Sequence, residues 1–338
     1  MKKLLFILAA AVIIFIAAEL ACQFALPDIA KAPPYMRFSN PHREQSGFVH
    51  DDKLFWKLKA NNPIWQVNAS GFRGPDLAGE NPKEEIRILC LGDSCTFGLG
   101  TGGVPYEQTY PALLGETPPG LRGASNASLR FRGVNFGCPG YTSYQGLVLL
   151  RQRIAAIKPN IVIAYFGIND GFDAFGYSDK DQRAVQFSTG SFGSMFNKSA
   201  LYSSLTRLII GVKQHAKTNP PMAQIERVNI GDYHENLENI AQTAKRFGAK
   251  SFFIAPPYLE SDGSLNCEIH RIHKPSINVM PELRNAVAAG EQVLFPAPDN
   301  VHPTPAGHAA MARAIAKRLA QDMESKPATN QHPAPGSK

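Results

Sequence analysis

The sequence predicts an α/β fold in which a mostly parallel sheet is covered by helices on both faces. From residue 85 onwards, short apolar runs alternate with amphipathic stretches of helix length, the order typical of parallel strands with crossover helices. The run at 161–166 is apolar at almost every position, as in a strand buried on both faces. Glycine-containing turns follow several of these runs. Because open α/β sheets bind their ligands at such strand ends, we expect the functional residues there.

The elements can be placed along the chain from apolar periodicity and from the glycines and prolines that interrupt it. Pro159, for example, ends one amphipathic stretch just before the next apolar run. The predicted strands are 86–91, 131–136, 161–166, 251–255 and 292–295, and the predicted helices are 110–114, 145–158, 202–212, 231–247, 282–291 and a last one that ends near 319.

Composition limits the class of protein. The chain has 338 residues, of which 44% are hydrophobic and 19% charged, so it can bury a sizeable core in one large or two small domains. The formal net charge is +7, but the basic residues are scattered and form no aromatic-interleaved stripe, so we expect no nucleic-acid partner. Five cysteines without a Cys-x-x-Cys pair argue against a disulfide framework.

The amino terminus predicts a membrane-associated segment. Lys2 and Lys3 precede an apolar run at 4–18, and the apolar character resumes after Glu19. This pattern is typical of a signal peptide or of an uncleaved signal anchor. Glu19 and Gln23 occupy positions where cleavage signals need small residues, and Glu19 also disfavours lipidation of Cys22. We therefore expect an anchor with its start in the cytoplasm, which places the rest of the chain on the extracytoplasmic side.

The remaining chain divides by composition. A proline-rich spacer is followed by alternating runs at 55–58 and 64–67, which predict a small β element beside the main domain. In the turn that follows it, Arg73 is interpreted as a surface arginine, with contact to a ligand carboxylate as the alternative. The predicted organisation is an anchor at 1–28, a spacer with a β-rich accessory segment at 29–84, a main domain at 85–323 with an insertion or lid at 171–229, and a disordered tail at 324–338.

The first predicted strand of the main domain ends in Gly92-Asp93-Ser94. A serine on a turn at a strand end presents its hydroxyl above the sheet, close to the free N–H groups where a helix begins. Ser94 is therefore a candidate nucleophile, although the same tripeptide also occurs in plain strand-to-helix connections.

A candidate base lies near the carboxyl end of the chain. His302 could take the proton of the serine and return it to the leaving group, because the unperturbed pKa of histidine lies near neutrality. Asp299, three residues earlier, could bond the other ring nitrogen and stabilise the imidazolium. A buried capping histidine is the ordinary alternative. His308, at the start of the following helix, is interpreted as a packing or capping residue.

Two further strand ends carry candidate hydrogen-bond donors. The N–H groups of Ser94 and Gly140 and the side-chain amide of Asn169 could stabilise the negative charge that develops on a carbonyl oxygen under attack. The alternative for Asn169 is a turn asparagine that bonds its own backbone. A possible metal-binding group consists of Cys267, His270 and His273, which follow one another at intervals of three residues. The loop offers no convincing fourth ligand, and we predict no metal site.

Taken together, these stretches resemble the SGNH (GDSL-type) hydrolase family over about 85–320. Each motif is modest alone, but four motifs in the right order make a specific pattern. The matching blocks are Gly92-Asp93-Ser94, Gly140, Gly167-Ile168-Asn169-Asp170 and Asp299-Asn300-Val301-His302.

The resemblance implies a flavodoxin-like three-layer α/β/α sandwich and ester hydrolysis or acyl transfer through an acyl-serine, without a metal or organic cofactor. Thr96 stands where the nucleophile elbow of α/β-hydrolases has its second glycine, which disfavours that fold. The sequence leaves open whether Cys95 and Cys138 pair.

The anchor and the turn at 68–74 are similar to envelope-associated members of the family, which act on acylated polysaccharides. The first hypothesis is an extracytoplasmic serine esterase that removes an acyl group, most simply acetyl, from a carbohydrate or lipid. The alternatives are an O-acetyltransferase acting on an envelope polysaccharide and a membrane-tethered glycan-binding protein without turnover.

Overall fold

The structure is a computed structural model of the chain. It describes residues 2–25, 47–51, 53–77, 84–116, 130–174, 178–181, 199, 201–202, 204–205 and 225–324. In chain order the elements are α1 (Lys2–Ala25), β1 (Phe48–Asp51), β2 (Phe55–Leu58), β3 (Glu85–Gly92), α2 (Ser94–Phe97), α3 (Tyr110–Gly115), β4 (Arg130–Gly137), α4 (Ser143–Ile157), β5 (Ile161–Tyr165), α5 (Ile230–Arg246), β6 (Lys250–Ile254), β7 (Pro257–Leu259), β8 (Leu265–Cys267), α6 (Met280–Ala288) and α7 (Pro305–Glu324).

Among the described residues, the central sheet has four parallel strands in the order β4-β3-β5-β6. The first of them along the chain, β3, lies between the second and the third. The chain therefore leaves β3 towards β4 on one side of the sheet and leaves β5 towards β6 on the other. The two connections diverge, which opens a crevice at the carboxyl ends of β3 and β5, where ligands of such sheets bind. Ser94 lies two residues beyond the end of β3.

Helices cover the sheet on both faces, which confirms the predicted three-layer α/β/α architecture. Successive residues of β3 enter different cores: Leu89 packs with α4 and α5 on one face, and Ile88 packs with α3, α6 and α7 on the other. This alternation follows from the two-residue period of a strand. Because both faces are buried, the strands are apolar at nearly every position.

The segment before the main domain packs directly on the sheet. β1 and β2 form an antiparallel hairpin, and Phe48, Trp56 and Phe72 belong to the same buried core as α4 and α5. The second alternating run, at 64–67, is not a strand but a turn with isolated bridges from Val67. The turns around Asn62-Pro63, where the backbone N–H of Trp65 bonds the Asn62 side chain, interrupt the pairing.

The predicted strand at 292–295 is wrong. Leu294 instead makes an isolated antiparallel bridge with Pro303, and the Phe295 N–H donates to the His302 carbonyl. The apolar run is thus paired with the loop that follows it and not with β6. The other predicted strands and helices of the main domain are present with shifts of at most three residues at their ends, apart from the last helix, which ends at Glu324 and not near 319. The predicted helix at 202–212 and tail at 324–338 lie outside the described residues, except for a few positions at their starts.

At the amino terminus, α1 contains one stretch that is long and apolar enough to cross a membrane. It runs over Leu5–Ala25 with a mean hydropathy of 2.7, and none of that window is buried against the protein. A membrane anchor and a signal peptide both have these properties.

Candidate active site

Ser94 begins α2 directly behind the central strand. Asp93 precedes it as the N-cap residue and accepts a hydrogen bond from the Cys95 N–H at 2.8 Å. This cap satisfies one of the free N–H groups of the first turn and fixes the direction in which the helix leaves the strand. The turn can pass close to β4 because Gly137 has no side chain: a Cβ there would lie 2.2 Å from the Phe97 nitrogen.

His302 bridges Ser94 and Asp299. Its Nε2 lies 2.8 Å from Ser94 Oγ, and its Nδ1 lies 2.6 Å from Asp299 Oδ1. The Asp299 carboxylate can only accept, so Nδ1 carries the proton and Nε2 is free to accept from the serine hydroxyl. The His302 side chain is 19% exposed and the Asp299 side chain 11%, so solvent reaches part of the pair. The structure therefore brings the three predicted residues together in an order suited to nucleophilic attack.

The loop that carries His302 is held at both ends. Asp299 Oδ1 also accepts the His302 backbone N–H at 3.0 Å, which closes a tight turn, and Asn300 within it has a φ of +51°. The Asn300 carbonyl and side chain bond the backbone of Leu259 in β7, at 2.8 and 3.1 Å. The bond from Phe295 to the His302 carbonyl fixes the other side. The apolar run at 292–295 therefore supports the histidine loop and does not extend the sheet.

Gly140 lies in the loop after β4 with a φ of +81°, a conformation that glycine adopts without steric cost. Among the described residues, no hydrogen bond engages the N–H groups of Gly140 or Ser94. Two free N–H groups at neighbouring strand ends are suited to bind a negatively charged oxygen.

Asn169 lies at the third strand end and is 4% exposed. Its amide donates to the Tyr141 carbonyl at 3.1 Å and approaches Asp93 Oδ2 at 3.4 Å. The side chain thus connects the glycine loop to the residue before Ser94. Burial raises the pKa of Asp93 to about 6, the Cys95 N–H and the charge of His302 acting in the other direction.

Arg73 is not a surface residue, and its contacts differ from both interpretations of the sequence. It is 6% exposed, and its guanidinium donates to the carbonyls of Phe97 at 2.5 Å and Val104 at 2.7 Å. Burial lowers its pKa to about 10, so it remains charged at neutral pH. Arg73 therefore binds the carboxyl end of α2 and not a ligand.

His308 has the packing role that the sequence predicts. It is fully buried, its Nδ1 accepts the Tyr110 N–H at 3.2 Å, and its ring stacks on that of Tyr110. Burial lowers its pKa to about 3.

The cysteines and the histidine-rich loop form no further site in the described part of the chain. Cys95 and Cys138 are free, buried thiols, and burial raises the pKa of both. His270 is exposed and His273 faces the His234 ring instead of Cys267. No group of three or more potential metal ligands occurs among the described residues.

Two residues that the sequence did not single out contact the glycine loop. Trp56 of β2 donates its indole N–H to the Pro139 carbonyl at 3.1 Å, and Arg227 donates to the Gly140 carbonyl at 2.7 Å. Asp179 pairs with Arg227 through both carboxylate oxygens. No local motif surrounds any of them, and the only signal in the sequence is the apolar run that contains Trp56.

Comparison with known proteins gives one family and several similar folds. The model of the GDSL-like lipase/acylhydrolase family matches residues 90–310. A search of curated proteins gave no match. Three similar solved structures cover 71–73% of this chain. They are LAE5, an alpha/beta hydrolase enzyme from the metagenome of Lake Arreo, Spain (17% identity, TM-score 0.41, 97% of that chain), the lipase/acylhydrolase from Enterococcus faecalis (18%, 0.40, 100%) and the acetylxylan esterase Axe2 from Geobacillus stearothermophilus (18%, 0.38, 97%).

The matched residues span the serine turn, the glycine loop, the asparagine strand end and the histidine loop, and they make up well over half of the chain. This chain belongs to the GDSL-like lipase/acylhydrolase family and is a hydrolase enzyme.

Proposed function

We propose that the protein is an extracytoplasmic serine esterase that hydrolyses an acyl ester, in the first instance an acetyl ester, of a carbohydrate or lipid. The observation that carries the proposal is the continuous contact from Ser94 Oγ through the His302 ring to Asp299, with distances of 2.8 and 2.6 Å. Membership of an acylhydrolase family supports the same chemistry.

In the proposed reaction, the Ser94 oxygen attacks the ester carbonyl while its proton passes to His302 Nε2. Asp299 keeps the imidazole in the required tautomer and stabilises the imidazolium. The imidazolium then protonates the leaving alcohol, and the acyl group remains on Ser94. Water, activated by the same imidazole, releases the acid and restores the serine.

The oxyanion of each tetrahedral intermediate would accept from the N–H groups of Ser94 and Gly140 and from the Asn169 amide. The Asn169 hydrogen directed at Asp93 is the one we assign to this role, because its present contact, at 3.4 Å, is long. Catalytic hydrogen bonds are often long in the free enzyme and shorten when substrate binds.

The proposed location follows from the amino terminus. α1 could span a membrane, and Lys2 and Lys3 precede its apolar part. Positive residues before such a helix favour retention of its start in the cytoplasm, which would send the rest of the chain outside. We accordingly propose residues 1–28 as an anchor, 29–84 as a spacer with an accessory segment, and 85–323 as the catalytic domain. Fusion of a reporter enzyme to the carboxyl terminus, read out on both sides of the membrane, tests this arrangement.

The chemistry is tested by single-turnover acylation with a chromogenic acetate ester. During acylation the protein should release one molecule of alcohol per active site, because one acetyl group is transferred to each Ser94. Ser94→Ala should abolish this release. Full activity of Ser94→Ala would exclude the mechanism. Assaying released acetate with and without an added acceptor sugar distinguishes hydrolysis from acetyl transfer, and glycan binding without any acetate release would indicate a binding protein.

A further inference from the structure

The Pro139–Gly140 peptide carries one of the proposed oxyanion donors. A trans peptide is planar, and its C=O and N–H point in opposite directions. Fixing the Pro139 carbonyl therefore fixes the direction of the Gly140 N–H. The carbonyl accepts the indole N–H of Trp56 in a buried hydrogen bond of 3.1 Å.

The next peptide is held from another part of the chain. Arg227 Nη1 donates to the Gly140 carbonyl at 2.7 Å, and its Nη2 donates to Gln145 Oε1 at 2.8 Å. Asp179 accepts from the Arg227 Nε and Nη2 at 3.1 and 2.8 Å, and also from the Thr142 hydroxyl at 2.7 Å. The arginine and aspartate side chains are 7% and 2% exposed. A buried ion pair with this many hydrogen bonds holds the loop in one position.

The two supports are also joined to each other. The Arg227 guanidinium carbon lies 5.6 Å from the centre of the Trp56 ring. The Tyr141 hydroxyl donates to the Trp56 carbonyl at 2.6 Å, and the Gln145 amide donates to the Leu54 carbonyl at 2.7 Å. Because Gly140 itself is a glycine at positive φ, its own backbone offers little resistance to rotation.

We propose that Trp56 and Arg227 are positioning residues that aim the Gly140 N–H at the oxyanion. A hydrogen bond to a peptide carbonyl also polarises that peptide, which makes the N–H on its other edge a stronger donor. Trp56 lies outside the family-matched residues 90–310, so this role of the accessory hairpin does not follow from membership of the family. The inference rests on the proposed esterase function.

The two tryptophans of the chain provide a matched test. Trp56→Phe removes the indole N–H and keeps an aromatic ring in the core. Trp65→Phe is the control: Trp65 belongs to the same accessory segment and packs on Phe48 and Phe97, and its indole N–H makes no hydrogen bond among the described residues. With a soluble acetate ester, we expect Trp56→Phe to lower kcat about tenfold with KM nearly unchanged. This is less than the roughly 10²-fold to 10³-fold loss when an oxyanion donor is removed, because the peptide remains.

A second pair of variants tests the arginine. Arg227→Ala should lower kcat about 30-fold, less than the roughly 10²-fold to 10³-fold loss when an oxyanion donor is removed, because the Gly140 N–H remains. Added methylguanidinium should restore part of the loss. Arg153→Ala is the control, because Arg153 also donates to a backbone carbonyl, that of Ser70, and also lies over a phenylalanine ring, that of Phe136. It should keep its kcat and should not respond to methylguanidinium.

A boronic acid inhibitor separates positioning from simple packing. The Ser94 oxygen bonds to boron, its proton passes to His302, and a hydroxyl of the negatively charged tetrahedral boronate occupies the oxyanion position. If Trp56 and Arg227 aim the oxyanion donor, Trp56→Phe and Arg227→Ala should raise the Kd of this inhibitor by the same factor by which they lower kcat. If they only pack the core, the thermal stability of Trp56→Phe and Trp65→Phe falls without that matched change in Kd.

The inference is overturned if Trp56→Phe keeps its kcat, or if Trp65→Phe loses as much as Trp56→Phe does. Should Trp56→Phe fail to fold, absence of rescue in Arg227→Ala would overturn it. If Ser94→Ala keeps its activity, the proposed function fails instead.

Discussion

The two sides of the candidate active site are built differently. On one side, Asp299 and His302 lie three residues apart in one tight turn, and Ser94 directly follows a central strand. On the other side, the Gly140 loop is held by Trp56, 83 residues before the carbonyl it bonds, and by Arg227, 87 residues after Gly140. On the first side, Ser94 and the Asp299–His302 pair each stand on a locally built turn, and the contact between Ser94 and His302 joins the two turns. On the second side, side chains from distant segments hold a peptide in place.

This difference suggests how such a site can vary. Residues that react need types and spacings set by chemistry, so they occur as short motifs. Residues that only hold a peptide in place can come from any segment that packs against it. The following variants test the division, from the largest expected effect to the smallest.

His302→Ala tests the local side. Without the imidazole, Ser94 has no base and the leaving alcohol no acid, so we expect kcat to fall by about 10⁴-fold or more. Steady-state kinetics on a chromogenic acetate ester measure the loss. His270→Ala, which changes an exposed histidine, is the control and should keep its activity. A small loss in His302→Ala would mean that the histidine loop is not the reacting part of the site.

Asn169→Ala tests the point where the two sides meet, since this amide contacts both Asp93 and the Tyr141 carbonyl. Removal of one oxyanion donor lowers kcat by about 10²-fold to 10³-fold in comparable enzymes, and we expect the same here with KM little changed. Asn239→Ala, which removes an exposed hydrogen bond to the Glu235 carbonyl in α5, is the control. If KM rose while kcat stayed constant, the amide would bind the substrate and not the oxyanion.

Arg73→Met asks whether the serine side also depends on distant contacts. The change removes the Arg73 donor from the carbonyls of Phe97 and Val104, of which Phe97 keeps the Asn135 amide at 3.4 Å. This loss should lower the free energy of unfolding by about 2–4 kcal/mol. Because Asp93 still caps α2, kcat should fall less than it does in Asn169→Ala. Urea denaturation and kinetics at the same temperature measure both quantities. A large fall in kcat with unchanged stability would show that the position of Ser94 also depends on a contact from a distant segment.

His308→Gln distinguishes the packing histidine from the reacting one by pH. The pKa of His308 is about 3 in the folded protein against 6.5 in the unfolded chain, so only the unfolded chain binds this proton as the pH falls below 6.5. The wild type should lose about 2 kcal/mol of stability from this group by pH 5, at about 1.4 kcal/mol per pH unit. Asp93 and Asp170, whose pKa values burial raises to about 6, act in the opposite direction in both proteins, so their contributions cancel in the comparison.

The substitution removes the stacking on Tyr110, so at pH 8 we expect His308→Gln to be less stable than the wild type by about 1 kcal/mol. At pH 5 the order should reverse. Denaturant titrations at the two pH values measure the difference, and a gap that does not change with pH would show that His308 titrates normally in the folded protein.

The predictability of the structure from sequence follows the same division. The buried strands were recognisable because both faces are apolar, and Ser94, Asp299 and His302 because each stands in a short motif. The segment at 292–295 has the composition of a strand, but composition does not identify its partner, which is the histidine loop.

Long-range polar contacts outside the short motifs were not predictable. Arginine is usually exposed, so the burial of Arg73 against α2 contradicts the ordinary expectation. The backbone carbonyls that Trp56 and Arg227 bond lie more than 80 residues away, and nothing in the local sequence indicates a backbone carbonyl as the acceptor.

The central claim is that the oxygen of Ser94 carries the acyl group. Acid quenching of the protein during turnover of an acetate ester, followed by peptide mapping by mass spectrometry, tests it most directly. The account predicts acetyl on Ser94 and none on the neighbouring Cys95, whose buried thiol stays protonated because its pKa is raised. Acetyl on Cys95 or on any residue other than Ser94 would contradict it.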